Sequence, residues 1–249
     1  MVSIPSPVQS AFPLEASLLT KPILTPRSAA AKVVPSGSIM VGGFLGCGAP
    51  HTLIQALKAA GTRDLTLISC DTGVHDLRTG RIGSVAHMVA NRQFSRIYAS
   101  HIGLNQEAQR QMNAGETAVE LVPMGSLAER IRAGGAGLGG ILTPTGVGTE
   151  VAAGKQLVQV AGESFLLETP FKADVAFIKA RRADRCGNLV YRGTARNFNP
   201  LMATAARLVV AEVEEIVEPG ELDPDLVHTP SIFVDFLVLA ERLEAWEEP

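Results

Sequence analysis

The feature that most narrows how this chain can fold is a rhythm. Short β-branched apolar runs, too brief to be helices, alternate with segments of helical periodicity. Ser-Ile-Met-Val at 38–41 precedes 50–60, where Leu53, Ile54 and Leu57 share one face at helical spacing. Apolar runs at 64–69, 96–100 and 118–123 continue the pattern, with a polar helix expected at 105–114. Buried strands return at 173–180, 206–213 and 232–240. Parallel strands need long crossovers and antiparallel ones do not, so this alternation predicts an α/β fold. The expected architecture is an open, mainly parallel sheet flanked by helices, with a β-hairpin inserted at 155–168 around Ala-Gly-Glu-Ser.

Other local signals set boundaries. Ser126 and Glu129 have capping-box spacing and Gly134-Gly135 supply a stop, which predicts a helix over 126–133. Residues 134–148 hold seven glycines, too many for a regular element. Residues 1–30 carry Pro5, Pro7, Pro13, Pro22 and Pro26 and read as an irregular arm, with 31–249 as one domain. No fixed-period repeat and no linker-like stretch divides that domain.

Composition excludes several classes of partner. A net charge of -3 with scattered Lys and Arg gives no basic field for nucleic acid. No apolar run reaches the roughly 20 residues of a membrane helix, and the arm lacks the marks of a targeting signal. Cys47, Cys70 and Cys186 have neither C-x-x-C spacing nor a nearby histidine pair, so no disulfide framework or metal site is expected, and a cytoplasmic location is.

The candidate site is the stretch Gly-Gly-Phe-Leu-Gly-Cys-Gly-Ala-Pro at 42–50, between an expected strand and an expected helix. Such a turn suits an anion, because free N–H groups and the helix dipole both favour negative charge. Its spacing is nevertheless not the dinucleotide G-x-G-x-x-G, and Gly148 to Lys155 does not make a P-loop. A tight turn alone also accounts for these glycines. Cys47 reads as a small buried apolar residue, with only His51 beside it as a base. His75, His87, His101 and His228 are too dispersed to suggest a metal cluster.

Ile-Met-Val-Gly-Gly-Phe-Leu-Gly-Cys-Gly-Ala-Pro resembles the signature of the α (A) subunits of heteromeric 3-oxoacid CoA-transferases. Blocks at 127–140, 143–149, 187–191, 195–203 and 220–230 are similar to family blocks in family order, so the resemblance spans about 39–240. Within the family, the sequences at 100–107 and 135–140 look more like acetate/acetoacetate transferases than the 3-oxoadipate or succinate enzymes. The resemblance implies CoA transfer between a short-chain acyl-CoA, such as acetoacetyl-, butyryl- or acetyl-CoA, and a free carboxylic acid. No cofactor is implied beyond coenzyme A as substrate, and the partner is a β subunit in an α2β2 or larger assembly.

The family's nucleophile is a glutamate in a Ser-Glu-Asn-Gly-type motif, which is absent here; Glu107, Glu116, Glu120 and Glu163 lack that context and read as solvated surface acids. The resemblance therefore implies no catalytic residue in this chain and places the nucleophile on the partner. Gly42, Gly43, Phe44, Leu45, Gly46, Cys47 and Gly48 are expected to supply CoA and oxyanion contacts. Two departures from the pattern stand out: Pro35-Ser36-Gly37 replaces an Asp/Asn-Gly turn, and Met124 stands where a Gln is common. A phosphosugar-binding isomerase-like or regulatory domain is the competing reading.

Overall fold

The structure, a computed structural model, describes residues 20–241. The first half runs α1 (Pro26–Ala30), β1 (Ser38–Val41), α2 (His51–Ala60), β2 (Leu65–Asp71), a small β3 (Val74–His75) and β4 (Ile82–Gly83) hairpin, then α3 (Ala86–Ala90). It continues through β5 (Phe94–His101), α4 (Gln106–Asn113), β6 (Ala118–Leu121) and α5 (Met124–Gly135). The second half holds β7 (Ile141–Thr143), β8 (Leu157–Val160), β9 (Glu163–Glu168), β10 (Ala173–Asp184), β11 (Leu189–Val190), α6 (Asn199–Ala205), β12 (Ala206–Val217) and β13 (Phe236–Leu239).

The main sheet is ordered β13-β12-β10-β1-β2-β5-β6 and is parallel along that path, with β11 antiparallel to β10. Both faces are covered. Val41, Leu67 and Ile97 pack with Leu53, Ile54, Leu57 and Met88 on the α2–α3 side, while Met40 and Ile68 pack with Leu127, Ile131 and Met202 on the α5–α6 side. Two-sided burial is why β1 reads as an unbroken apolar run rather than an alternating one: Ile39, Met40 and Val41 are all buried. Each such side chain contributes about 1.5–3 kcal/mol of apolar burial.

The order of the strands positions the site. From β1 the chain steps outward through β2, β5 and β6, then returns to the other side of β1 for β10, β12 and β13. The sense of winding therefore reverses between β1 and β10, and the crevice beyond the carboxyl ends of strands at such a reversal is where open α/β sheets bind ligands. The loop at 42–50 leaves β1 at this place.

The expected hairpin forms, with Val160 opposite Glu163 and the two turn residues Ala161 (φ 51°) and Gly162 (φ 85°) both left-handed. β7 pairs with β9, making a three-stranded antiparallel sheet.

Four local expectations are corrected. The helix expected over 126–133 spans Met124–Gly135, and Ser126 is not its cap; it lies inside the first turn, buried, its hydroxyl without a hydrogen-bond partner among the described residues. The glycine-rich stretch 134–148 begins inside that helix and contains β7. Only Phe236–Leu239 of the run 232–240 is a strand, because Ser231–Phe233 close a 3₁₀ turn. The arm expected over 1–30 lies outside the described residues as far as residue 19. Beyond that it is not irregular: Leu24 N–H donates to the Leu237 carbonyl, and Pro26–Ala30 form α1. That helix has an ordinary start, with Thr25 accepting from the Ser28 N–H and proline in the first turn. Among the described residues, no helix is long and apolar enough to cross a membrane.

Candidate active site at the glycine loop

β1 ends by handing the Gly42 N–H to the Phe177 carbonyl of β10 at 2.9 Å. The chain then folds into a small closed turn. Phe44 and Cys47 exchange both main-chain hydrogen bonds, at 3.0 and 2.9 Å, leaving Leu45 (φ 46°) and Gly46 (φ 86°) as the two turn residues. A left-handed leucine costs on the order of 1–2 kcal/mol. It is held by Asp71, at the carboxyl end of β2, whose Oδ2 accepts from the Leu45 N–H at 2.8 Å while Oδ1 accepts from the Gly73 N–H at 2.7 Å. Neighbouring strand β2 thus fixes the turn that β1 feeds.

Gly43 and Gly48 have backbone reasons to be glycine. Gly43 sits at φ +116°, and a Cβ there would meet the Ala49 main chain at 3.0 Å. Gly48 sits at φ +69°, where a Cβ would lie 2.8 Å from Ala195 Cα. At Gly42 the obstacle is the side-chain amide of Asn199.

Asn199 and Asn197 clamp the loop from a segment far along the chain. The fully buried Asn199 donates from Nδ2 to the Gly48 carbonyl (3.0 Å) and the Ala195 carbonyl (2.8 Å), and its Oδ1 accepts from the Lys179 N–H (3.0 Å). Asn197 Nδ2 donates to the Cys47 carbonyl at 2.9 Å. The Cys47 and Gly48 carbonyls are therefore tied down from behind. The loop's N–H groups are not all so engaged: those of Gly43, Gly46 and Gly48 have no hydrogen-bond partner among the described residues.

The start of α2 behaves differently from the sequence expectation of an open anion site. Glu212 of β12, almost fully buried, accepts from the Leu53 N–H at 3.1 Å and faces Lys179 Nζ at 3.4 Å. Burial pushes the Glu212 carboxyl up, opposed by the Lys179 charge and by the Leu53 and Thr52 N–H groups. The protein's own carboxyl thus occupies the donors that a phosphate would need there. What remains available is the loop itself.

The seven residues singled out in sequence form one continuous loop, with Gly42 and Gly43 buried, Phe44 and Cys47 exposed, and Leu45, Gly46 and Gly48 between. Cys47 is not the buried apolar filler expected: its Sγ lies 3.4 Å from Thr194 Oγ1. His51 forms no pair with it, but turns Nε2 to the Gly46 carbonyl at 3.2 Å. Burial is the main cause holding the His51 pKa below 6.5; the Gly46 carbonyl acts the other way and the Lys179 charge adds to the fall.

The acids considered in sequence do not gather at the loop. Glu107 and Glu116 both engage Arg110, Glu120 faces Arg130, and Glu163 sits at the hairpin turn. Glu107 is less a free surface acid than expected, since hydrogen bonds from Arg110, with further help from Gln111, bring its pKa down to about 2. Asp71, Asn197, Asn199 and Glu212 carry the loop's geometry and were given no role by sequence reasoning. The signal for the two asparagines was present in Arg-Asn-Phe-Asn at 196–199, where two amides flank an aromatic next to a helix start.

Comparison with known proteins gives this geometry a context. A family model described as coenzyme A transferase matches residues 23–240. The chain belongs to the coenzyme A transferase family. It is 50% identical over 205 residues to the acetate CoA-transferase subunit alpha of Escherichia coli K12, covering 82% of this chain and 90% of that one. A probable succinyl-CoA:3-ketoacid coenzyme A transferase of Bacillus subtilis 168, matched in its A-type subunit, is 47% identical over 223 residues, covering 89% of this chain and 91% of that one. In fold the chain is similar to the acyl-CoA transferase YdiF of E. coli O157:H7, with a TM-score of 0.77 at 22% identity. That alignment covers 89% of this chain and 47% of the longer protein.

Proposed function

We propose that this chain is the α subunit of a heteromeric CoA-transferase that moves CoA between a short-chain acyl-CoA and a free carboxylic acid. The observation that carries this reading is the set of N–H groups at Gly43, Gly46 and Gly48 that have no partner among the described residues, on a loop held by Asp71 at the Leu45 N–H and by Asn197 and Asn199 at the Cys47 and Gly48 carbonyls. Exchange of one thioester for another is close to thermoneutral, so the difficulty is kinetic. A carboxylate nucleophile attacks the thioester carbonyl and releases CoA thiolate, leaving an acyl-enzyme anhydride. The thiolate then attacks the enzyme carbonyl, giving an enzyme thioester and freeing the first acid. The acceptor acid reverses the sequence. Each attack creates a tetrahedral oxyanion, and a fixed donor aimed at it is worth about 3–4 kcal/mol.

The family resemblance assigns the nucleophile to a glutamate on a partner β subunit; in this chain Glu107, Glu116 and Glu120 pair with Arg110 and Arg130, and Glu163 sits at the hairpin turn. Both transferase relatives are subunits by name, which supports a heteromer; α2β2 or larger is the assembly expected. The two names carry different acids at nearly equal identity, so acetate or acetoacetate is preferred here over succinate only on the sequence blocks already described. Three free cysteines fit a cytoplasmic location. The phosphosugar reading loses its main support with Glu212 seated on the start of α2.

The test is consumption of acetoacetyl-CoA in the presence of acetate, measured with this chain alone and with its β subunit. Turnover only in the mixture is the expected result. No turnover in either, across a panel of short acids that includes succinate and 3-oxoadipate, overturns the proposal.

A further inference from the structure

We propose that the first turn of α5 holds the 3-oxo group of the acyl chain and so selects 3-oxoacyl thioesters over plain alkyl ones. This rests on the CoA-transfer reading above. α5 starts after Pro123 with no side-chain cap, and the main-chain N–H groups of Met124, Gly125 and Ser126 have no partner among the described residues. Such donors, at the positive end of a helix, favour an oxygen acceptor. The other two helices of eight or more residues are served by a side chain at this end: Asn105 accepts from the Ala108 N–H in α4, and Glu212 from the Leu53 N–H in α2.

The turn opens on a groove that reaches the glycine loop. Met124, Gly125 and Ala128 line it with Asn197, Phe198 and Leu201 around about 470 Å³, and Asn197 also donates to the Cys47 carbonyl. A thioester held at the loop has this groove open to its acyl chain. No side chain of the lining is charged, and its one amide is taken. Asn197 Nδ2 donates to the Cys47 and Thr194 carbonyls, both at 2.9 Å, and Oδ1 accepts from the Phe198 N–H at 2.7 Å. Met124 stands where a glutamine is common, so that position adds no side-chain donor. The donors of the lining without a partner among the described residues are the N–H groups of Met124 and Gly125, joined by that of Leu201 in the first turn of α6. A 3-oxo oxygen entering the groove loses its water and is compensated only by such a donor. A second carboxylate, as in succinate, loses more and finds no cationic side chain on the lining.

The same turn carries a second, independent demand. Ser126 is 4% exposed, and its hydroxyl has no hydrogen-bond partner among the described residues. It lines a cavity of about 510 Å³ that shares Gly125 with the groove. A buried hydroxyl left in this state is a cost, and an acceptor brought to the turn by a ligand relieves it along with the main-chain donors.

The experiment uses the assembled heteromer and compares kcat/KM on acetoacetyl-, butyryl- and succinyl-CoA with acetate as the common acceptor. Met124→Pro removes one N–H at the first helical position, where proline is well tolerated and where Pro123, at ψ 135°, already has the backbone a following proline requires. It is expected to lower the acetoacetyl-to-butyryl ratio about tenfold, the upper end for one neutral hydrogen bond. Met124→Ala keeps the N–H and is expected to slow both thioesters together, leaving the ratio within about twofold. Ser126→Ala is expected to lower the ratio about threefold, and it carries the same readout if Met124→Pro does not fold. An unchanged ratio in every folded variant, or a fall in Met124→Ala as large as in Met124→Pro, overturns the inference while leaving the CoA-transfer reading intact. A fall confined to succinyl-CoA assigns the turn to a second carboxylate and overturns the 3-oxo assignment. Absence of transfer by the wild-type heteromer on every thioester overturns both readings.

Discussion

The chain has two glycine-rich stretches, 42–48 and 134–148, and they use glycine for opposite purposes. In the first, Gly43, Gly46 and Gly48 adopt left-handed backbone at φ +116°, +86° and +69° and leave their N–H groups without a partner among the described residues. In the second, Gly134 and Gly135 are helical, and their missing side chains let α5 approach the Phe171 carbonyl and the Thr204 side chain. Gly137, just beyond the helix, is left-handed at φ +70° with open space where a Cβ would point. Glycine density therefore does not identify a ligand site. What separates the two is whether the freed space holds another part of the protein or leaves a donor unoccupied.

Five substitutions can break or sharpen that contrast. The largest effect is expected at Gly43→Val, where a Cβ would meet Ala49 and φ +116° is unavailable to valine. Transfer by the heteromer should fall about a thousandfold, the upper end for losing an oxyanion donor, with the far-ultraviolet circular dichroism spectrum kept. Near-normal turnover in this variant defeats the assignment of the loop. The sequence alone suggests that valine would block the approach of substrate or forbid the turn, and the contact with Ala49 is of the second kind.

Next comes Asn199→Ala, which removes both donors to the Gly48 and Ala195 carbonyls and the acceptor for Lys179. Urea unfolding should register about 2–3 kcal/mol, with turnover lost beyond what instability explains. Stability lost with full turnover per folded molecule would make the clamp purely structural.

Within the second stretch, Gly135→Val should cost about 3 kcal/mol by overpacking α5 against α6, whereas Gly137→Ala should cost only about 1 kcal/mol for its left-handed backbone. Turnover per folded molecule should persist in both. Equal costs would show that conformation, not approach, governs this stretch too.

The smallest effect is on pH. Because the folded His51 pKa lies below 6.5, the unfolded chain binds a proton first as pH falls. Its contribution to stability is complete above 6.5 and is lost as pH drops through the lowered folded value. The melting temperature of His51→Gln should accordingly depend less on pH across that window than wild type does.

The fold was legible in the sequence where local pattern and burial agree. β1, α2, β2 and the hairpin at 157–168 all follow from apolar periodicity and turn residues. The errors fall where tertiary packing overrides a local signal. Ser126 and Gly134-Gly135 resemble a cap and a stop, yet α5 runs from Pro123 through both glycines because α6 and Phe171 lie against them. The start of α1 was legible in Thr25-Pro26 but was outweighed by the density of prolines before it. At the site, the loop could be read but its supports could not. Asp71, Asn199 and Glu212 lie 26, 151 and 159 residues from Leu45, Gly48 and Leu53, and no periodicity encodes such a pairing.

That separation has a consequence for biosynthesis. Asn199 is made 151 residues after Gly48, the carbonyl it holds, and β10, the strand that completes the pairing of β1, is also late. At roughly 5–20 residues per second, the glycine loop waits about 8–30 s on the ribosome for its clamp. Until β10 follows, β1 has one free edge beyond β2, and the emerging half-sheet is a species for chaperones to shield before there is any surface for a partner subunit to recognise.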